Sequence, residues 1–288
     1  MKKIREKVIL LGAAFLCVAC SGGGKVEFDY VHLKNNSTGF VTEPGDTSIA
    51  IGLKKNSPLK SQIDAYLSTL NSDYWNDLMA KMAELRTDEN ATYTPEYEFT
   101  DTSNGVFKVG MECAYDPFNW TQNTDANGAL PIANVSGKYA NGYDVQIAAQ
   151  VAASLNMSIE IYQYEWEGLL PAVDSGAITA IAAGMSPTAK RLEEIDFSLN
   201  YYESNLVIIT RKNSELLNFT TLSELDQKGF KIAAQPGTFH LDALKEQTKN
   251  ITVVENLNDF VAMRIALEAG TIDGYVAEEP TALTFSAQ

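Results

Sequence analysis

The sequence predicts an α/β protein with mostly parallel strand pairing, and three observations carry that expectation. From Val106 onward, short apolar or β-branched runs alternate with segments of helical period. The 288 residues are 45% hydrophobic and 20% charged, with 19 Gly and 9 Pro, the composition of a globular chain long enough for two domains. A polar stretch without sustained period, residues 86–105, separates this alternating part from a smaller N-terminal part.

The chain opens with Lys2, Lys3, Arg5 and Lys7 before the apolar run Val8 to Val18, which is too short to cross a bilayer as a helix and reads as a secretory signal. The run ends in Cys17-Val18-Ala19-Cys20 followed by Ser21-Gly22-Gly23-Gly24, which resembles a bacterial lipobox, with Cys17 where that motif usually has Leu. The resemblance implies a signal peptide over 1–19, acylation of Cys20 and a tether over 20–27. A lipoprotein on the outer side of the bacterial cytoplasmic membrane, extracellular or periplasmic, is therefore expected. Acylation of Cys20 would leave Cys113 alone in the mature chain, so no internal disulfide is expected.

Next come two strand candidates, Phe28 to Leu33 and Ser48 to Leu53. A helix follows, in which Ile63, Tyr66, Leu67 and Leu70 share a face, as do Trp75, Leu78, Met79 and Met82. Beyond the linker, strands are expected at Val106 to Met111, Ser158 to Tyr162, Ile178 to Ala183, Leu206 to Thr210, Lys231 to Ala234, Ile251 to Glu255 and Gly274 to Ala277. Helical faces are marked by Ala148, Val151, Ala152 and Leu155, and by Phe260, Met263 and Leu267.

Charge and composition exclude several functions. A formal charge of -15 gives no basic stripe for phosphates, so nucleic acid is not an expected partner. Two histidines and three cysteines are too few for a structural zinc site and leave little room for histidine-based catalysis.

A set of motifs, taken in order and spacing, is specific. They are Val109-Gly-Met-Glu-Cys-Ala-Tyr-Asp-Pro-Phe118, Gly142-Tyr-Asp-Val145, Trp166-Glu-Gly-Leu-Leu-Pro-Ala172, Ala183-Gly-Met-Ser186 with Arg191 and Ile195-Asp-Phe-Ser198, Tyr201-Tyr-Glu-Ser204, and Pro236-Gly-Thr238. From Val106 the chain resembles the amino-acid-binding, family 3 solute-binding proteins of ABC transporters. The resemblance implies a two-lobed type II periplasmic-binding-protein fold with a two-strand hinge. In that family the chain returns to lobe 1 at its end. Here the segments that resemble the last lobe-2 strand, the return hinge, a lobe-1 strand and the terminal helices stand at residues 28–85. The expected arrangement is therefore a circular permutant: lobe 2 from 28–42 and 208–288, lobe 1 from 45–85 and 106–207, hinges within Gly39 to Ser48 and Tyr201 to Ile209, and the 86–105 linker joining the ancestral termini.

The same resemblance implies site residues. Arg191 would grip an amino acid's carboxylate through its planar fork of donors, with Ser186 adding its hydroxyl and N–H. Ala183 and Gly184 would line the site, the Gly184 carbonyl accepting from the ammonium. Thr238 and the amide of Phe239 would open a helix whose N-terminus completes the anion site. Glu278, where the family usually has Asp, would pair with the ammonium. Tyr115 and Trp166 would sandwich the side chain, Glu112 would lie beside its head, and Gln235 would line the same pocket. Two aromatic faces and a carboxylate favour a polar or cationic ligand. Cys113 reads as a small buried strand residue and His240 as structural.

The implied function is a monomeric binding protein that takes up a free amino acid by lobe closure and delivers it to an ABC transporter permease, with no catalytic residue, metal or cofactor. Two other readings use the same fold: an enzyme resembling the cyclohexadienyl dehydratases, for which Glu112 or Glu278 would be the acid, and an amino-acid sensor acting without a permease.

Overall fold

Each of two five-stranded sheets takes one strand from the N-terminal segment. The structure, a computed structural model, describes residues 26–31, 33 and 37–287. The expected signal peptide, Cys20 and most of the expected tether lie outside the described residues.

The strands in chain order are β1 (Phe28–Val31), β2 (Ser48–Lys54), β3 (Val106–Met111), β4 (Ala114–Tyr115), β5 (Asn119–Gln122), β6 (Leu130–Pro131), β7 (Tyr139–Asn141), β8 (Ser158–Gln163), β9 (Ala180–Ile181), β10 (Ile195–Glu203), β11 (Leu206–Arg211), β12 (Lys231–Ala233), β13 (Thr252–Val254) and β14 (Gly274–Glu278). The α-helices are α1 (Lys60–Leu67), α2 (Ser72–Thr87), α3 (Tyr143–Ser154), α4 (Trp166–Ser175), α5 (Ala189–Glu194), α6 (Leu222–Asp226), α7 (Phe239–Gln247), α8 (Phe260–Glu268) and α9 (Glu279–Ser286).

The first large sheet, in lobe 1, runs β10-β2-β9-β3-β8, and the second, in lobe 2, runs β1-β11-β14-β12-β13. A small antiparallel sheet, β4-β5-β7-β6, sits beside the first. Ile49, Ala50, Ile51 and Leu53 of β2 are fully buried, which explains why the strand reads as a continuous apolar run rather than as an alternation. The chain crosses between the lobes twice, between β1 and β2 and at Ser204 and Asn205 between β10 and β11. β11 lies wholly in the second sheet, pairing with β14 from Leu206.

Several expectations are corrected. Pairing is mixed: β2 runs antiparallel to both β10 and β9, and β11 antiparallel to both β1 and β14, while β3 with β8 and β9, and β12 with β13 and β14, are parallel. The strands flanking the two crossings account for all the antiparallel pairs in the large sheets. The single N-terminal helix is two, because Asn71 takes an extended backbone and its side chain accepts from the Tyr74 N–H, capping a second start. Of Ile178 to Ala183, Ala180–Ile181 alone form the strand, because the chain turns off the sheet at Gly184. β10 was not anticipated: its register slips around Asn200, which breaks the alternation that would mark it. Cys113 is buried but sits at φ 56 in the turn between β3 and β4.

The aperiodic stretch after α2 is laid along lobe 1. Tyr93 is buried, and its N–H donates to Asn127 Oδ1 at 3.0 Å. Among the described residues, no helix is long and apolar enough to cross a membrane.

Candidate ligand-binding site

The carboxyl ends of β3, β9, β12 and β14 meet between the lobes, the position at which open α/β sheets hold ligands. Glu112 follows β3, Ala183, Gly184 and Ser186 follow β9, Gln235 and Thr238 follow β12, and Glu278 ends β14. These seven residues, with Tyr115, Trp166, Arg191 and Phe239, line one cavity. All eleven residues expected to form the site are thus brought together.

Arg191 sits on α5, whose start is capped by the Thr188 hydroxyl. Its guanidinium is buried, with Nη1 donating to the Ser186 carbonyl at 2.9 Å and Nη2 to the Gly237 carbonyl at 3.4 Å. Its Cζ lies 5.0 Å from the centroid of the Trp166 ring. No carboxylate of the described residues forms an ion pair with it. Burial pulls its pKa down to about 10, with Asp242 and Asp46 acting against that shift from a distance. A buried cation held by neutral carbonyls is a site for an anion.

Two glycines shape the walls. Gly184 has φ +61, and a Cβ there would lie 3.1 Å from the Tyr115 ring. Gly237 has φ +71, and its carbonyl accepts both from Arg191 and from the Trp166 indole, the latter at 3.0 Å. The Gly184 loop rests on the fully buried Asp144, which accepts from the Gly184 N–H, from Tyr201 Oη at 2.6 Å and from Asn119 Nδ2 at 2.8 Å. Burial still pushes Asp144 up to about 7, against these three hydrogen bonds.

From lobe 2, Thr238 is the N-cap of α7 but makes no side-chain cap, because its hydroxyl donates to the Gln235 carbonyl at 2.7 Å. The first N–H groups of α7, starting at Phe239, therefore meet no side-chain acceptor at this cap. Gln235 Nε2 donates to Glu112 Oε1 at 2.6 Å across the lobes and to the Asn258 carbonyl at 2.9 Å. Burial pushes Glu112 up to about 8, with the Gln235 bond opposing.

Tyr115 and Trp166, the two rings expected to sandwich the ligand side chain, both line the cavity, and each has a protein neighbour. Tyr115 stacks on Phe260 with centroids 3.8 Å apart and planes 13° apart, and its hydroxyl accepts from the Glu278 N–H at 3.3 Å. Trp166 lies against Arg191, and no ring contact joins it to Tyr115. Phe260 and His240 also line the cavity and were missed. Phe260 read as one face of a helix. The signal that would have placed it is Asp259, whose carboxylate caps α8 and so puts Phe260 at a helix start facing the crevice. His240 Nε2 lies 3.0 Å from Glu278 Oε1, both side chains being buried. Burial pushes Glu278 up to about 8 and, with Arg191 adding to it, His240 down to about 3. Among the described residues, no group of three His, Cys, Asp or Glu side chains is placed to hold a metal ion.

This two-lobed α/β architecture with a polar cavity at the strand ends defines a class of solute-binding folds. Residues 107–266, more than half of the chain, match the bacterial extracellular solute-binding proteins, family 3, and the chain belongs to that family. It is 31% identical over 183 residues to a probable histidine-binding protein of Campylobacter jejuni, covering 64% of each chain. The chain thus spans less than two thirds of the length of that relative. Among solved structures, an amino acid ABC transporter substrate-binding protein of Streptococcus pneumoniae bound to L-arginine is similar at 28% identity and TM-score 0.56, over 64% of this chain and 71% of that one. Holo ArgBP from T. maritima is similar at 28% identity and TM-score 0.54, over 64% and 74%.

Proposed function

We propose that this protein captures one free amino acid, polar or cationic, between its lobes and delivers it to the permease of an ABC importer. The observation that carries the reading is Arg191, a buried guanidinium without a carboxylate partner, lying across the crevice from the uncapped start of α7. A ligand carboxylate supplies the missing anion, and Glu278 and Glu112 supply acceptors for cationic groups. Each lobe holds part of this polar shell, so the closed state gains contacts that the open state lacks, and that difference drives closure. One relative described above is a probable histidine-binding protein and one solved structure holds L-arginine, which supports the ligand class. Isothermal calorimetry with the twenty amino acids tests it: at least one is expected to bind, and folded protein that binds none overturns the reading.

The permuted chain order belongs to the same proposal. The placement of β1 in the lobe-2 sheet and of β2 in the lobe-1 sheet supports it, because both sheets would be incomplete without the N-terminal segment. Acylation at Cys20 and a monomeric state complete it; Cys20→Ser is expected to shift the protein from the membrane fraction to the soluble one.

A dehydratase reading draws on one feature, the raised pKa values of Glu112 and Glu278, since a protonated buried carboxyl can act as an acid. Prephenate turnover decides it, and none is expected.

A further inference from the structure

Both faces of the Tyr115 ring are taken by protein. Phe118, fully buried in lobe 1, stacks on it with centroids 5.0 Å apart and planes 27° apart, and Phe260 of lobe 2 stacks on it at 3.8 Å and 13°. Two rings this near its centroid and this close to parallel would overlap on one side, so they lie on opposite faces. Phe118 has no room to give way, because its ring is wedged against the edges of Tyr143 and Tyr202. The rest of Tyr115 is closed off as well: a Cβ at Gly184 would sit 3.1 Å from Cε1, and the hydroxyl accepts from the Glu278 N–H.

Phe260 is held in its place from within lobe 2. Asp259 Oδ1 accepts from the Ala262 N–H and fixes the start of α8, and the Asn258 carbonyl accepts from Gln235 Nε2 at 2.9 Å. The fully buried Tyr275 ring of β14 meets Phe260 at an edge, with centroids 6.4 Å apart and planes 63° apart. A buried ring with these neighbours is a fixed wall of the cavity. Beside it, the same Gln235 amide donates to Glu112 Oε1 at 2.6 Å, so this carboxylate is also engaged across the lobes.

We propose that Phe260 sets the length of side chain this protein accepts: it takes the Tyr115 face on which a guanidinium, imidazole or aromatic ring would stack, and so restricts the ligand to amino acids with side chains no longer than that of asparagine. The inference rests on the amino-acid-binding reading above and narrows it to short side chains. A longer one has to unstack Phe260 from Tyr115 and part Gln235 from Glu112. Both contacts join the lobes, so what such a ligand gains on Tyr115 it loses in closure. A short polar side chain lets the lobes close with both contacts in place.

Calorimetry of the wild type, Phe260→Ala and Phe260→Leu with the twenty amino acids tests this. The tightest ligand of the wild type is expected to have a side chain no longer than that of asparagine, with arginine and histidine weaker by about 100-fold or more. Phe260→Ala is expected to bring the better of arginine and histidine to within about 10-fold of that ligand, and Phe260→Leu to give an intermediate ratio. The ratio is the readout because losing the stack weakens closure on every ligand alike, which a merely structural role for Phe260 would also do. A tightest wild-type ligand with a side chain longer than that of asparagine, or a ratio left unchanged in either folded variant, overturns this inference while the binding reading stands. Failure of all twenty to bind the folded wild type overturns both.

Discussion

Trp166 and Arg191, both in lobe 1, converge on one lobe-2 acceptor: the indole N–H and the guanidinium reach the Gly237 carbonyl at 3.0 and 3.4 Å, with Arg191 Cζ 5.0 Å from the indole centroid. The buried Arg191 guanidinium is therefore part of the contact that joins the lobes. With Arg191 as the proposed carboxylate clamp, closure and carboxylate recognition share atoms, and a substitution at one alters the other.

Trp166→Phe keeps an aromatic face under Arg191 but loses the donor to Gly237. One neutral hydrogen bond is worth about 1 kcal/mol, so ligand affinity is expected to fall roughly 5- to 10-fold. The loss should appear mainly as faster dissociation in stopped-flow measurements, because the bond forms on closure. An unchanged dissociation rate would show that the indole N–H plays no part in holding the closed state.

Arg191→Met separates stability from binding. The methionine fills much of the same buried volume without the charge, and a buried cation without a counter-ion is costly. Amino-acid affinity is expected to fall by about 100-fold or more, while the ligand-free melting temperature holds or rises. A melting temperature lowered by about 5 °C or more would mean that the bonds to Ser186 and Gly237 outweigh the desolvation of the charge.

The parts of this molecule that were legible in the sequence are those set by local chemistry. β2 announces itself by its β-branched apolar run, and α7 by the Gly237-Thr238 turn before it. Arg191 and Glu112 were placed by the resemblance of their motifs to those of the family 3 solute-binding proteins. What stayed hidden depends on contacts between residues far apart in the chain. The Tyr115–Phe260 stack joins opposite lobes, and nothing near either residue marks the other as its partner. The His240–Glu278 pair exists because β14 brings Glu278 beside α7. Likewise the slipped register of β10 follows from its pairing with β2, not from its own pattern.

Ligand-free stability is expected to peak on the acid side of neutrality. Glu112 and Glu278 are pushed up to about 8 and Asp144 to about 7, above the carboxyl values of the unfolded chain. Between about pH 4.5 and these values the folded state binds more protons than the unfolded one, so stability falls as pH rises. His240, pushed down to about 3, acts in the opposite direction below about pH 6.5, but one group opposes three. Thermal unfolding without ligand is expected at a temperature higher at pH 5.5 than at pH 8.5 by about 5 °C or more. Glu112→Gln should reduce that difference. A melting temperature that rises from pH 5.5 to 8.5 would contradict the assigned protonation states.

If the stretch after α2 joins ancestral termini, its covalent continuity is dispensable once the protein has folded. Thr100 to Ser103 are exposed, and the segment carries no strand or helix. By contrast β2, on the far side of that stretch in sequence, lies between β10 and β9 with Ile49 and Ile51 fully buried, so the N-terminal fragment is held by the lobe-1 core. A protease site placed at 100–103 and cut in the native protein is expected to give two fragments that co-elute in size exclusion and bind the amino acid within about 2-fold of the intact chain. The control is Ile51→Ala, which removes buried methyl groups from the same interface and should cost about 2–5 kcal/mol in denaturant unfolding. Dissociation of the cut fragments under native conditions, with the intact chain stable, would mean that the N-terminal segment is held by its tether rather than by its place in the sheet.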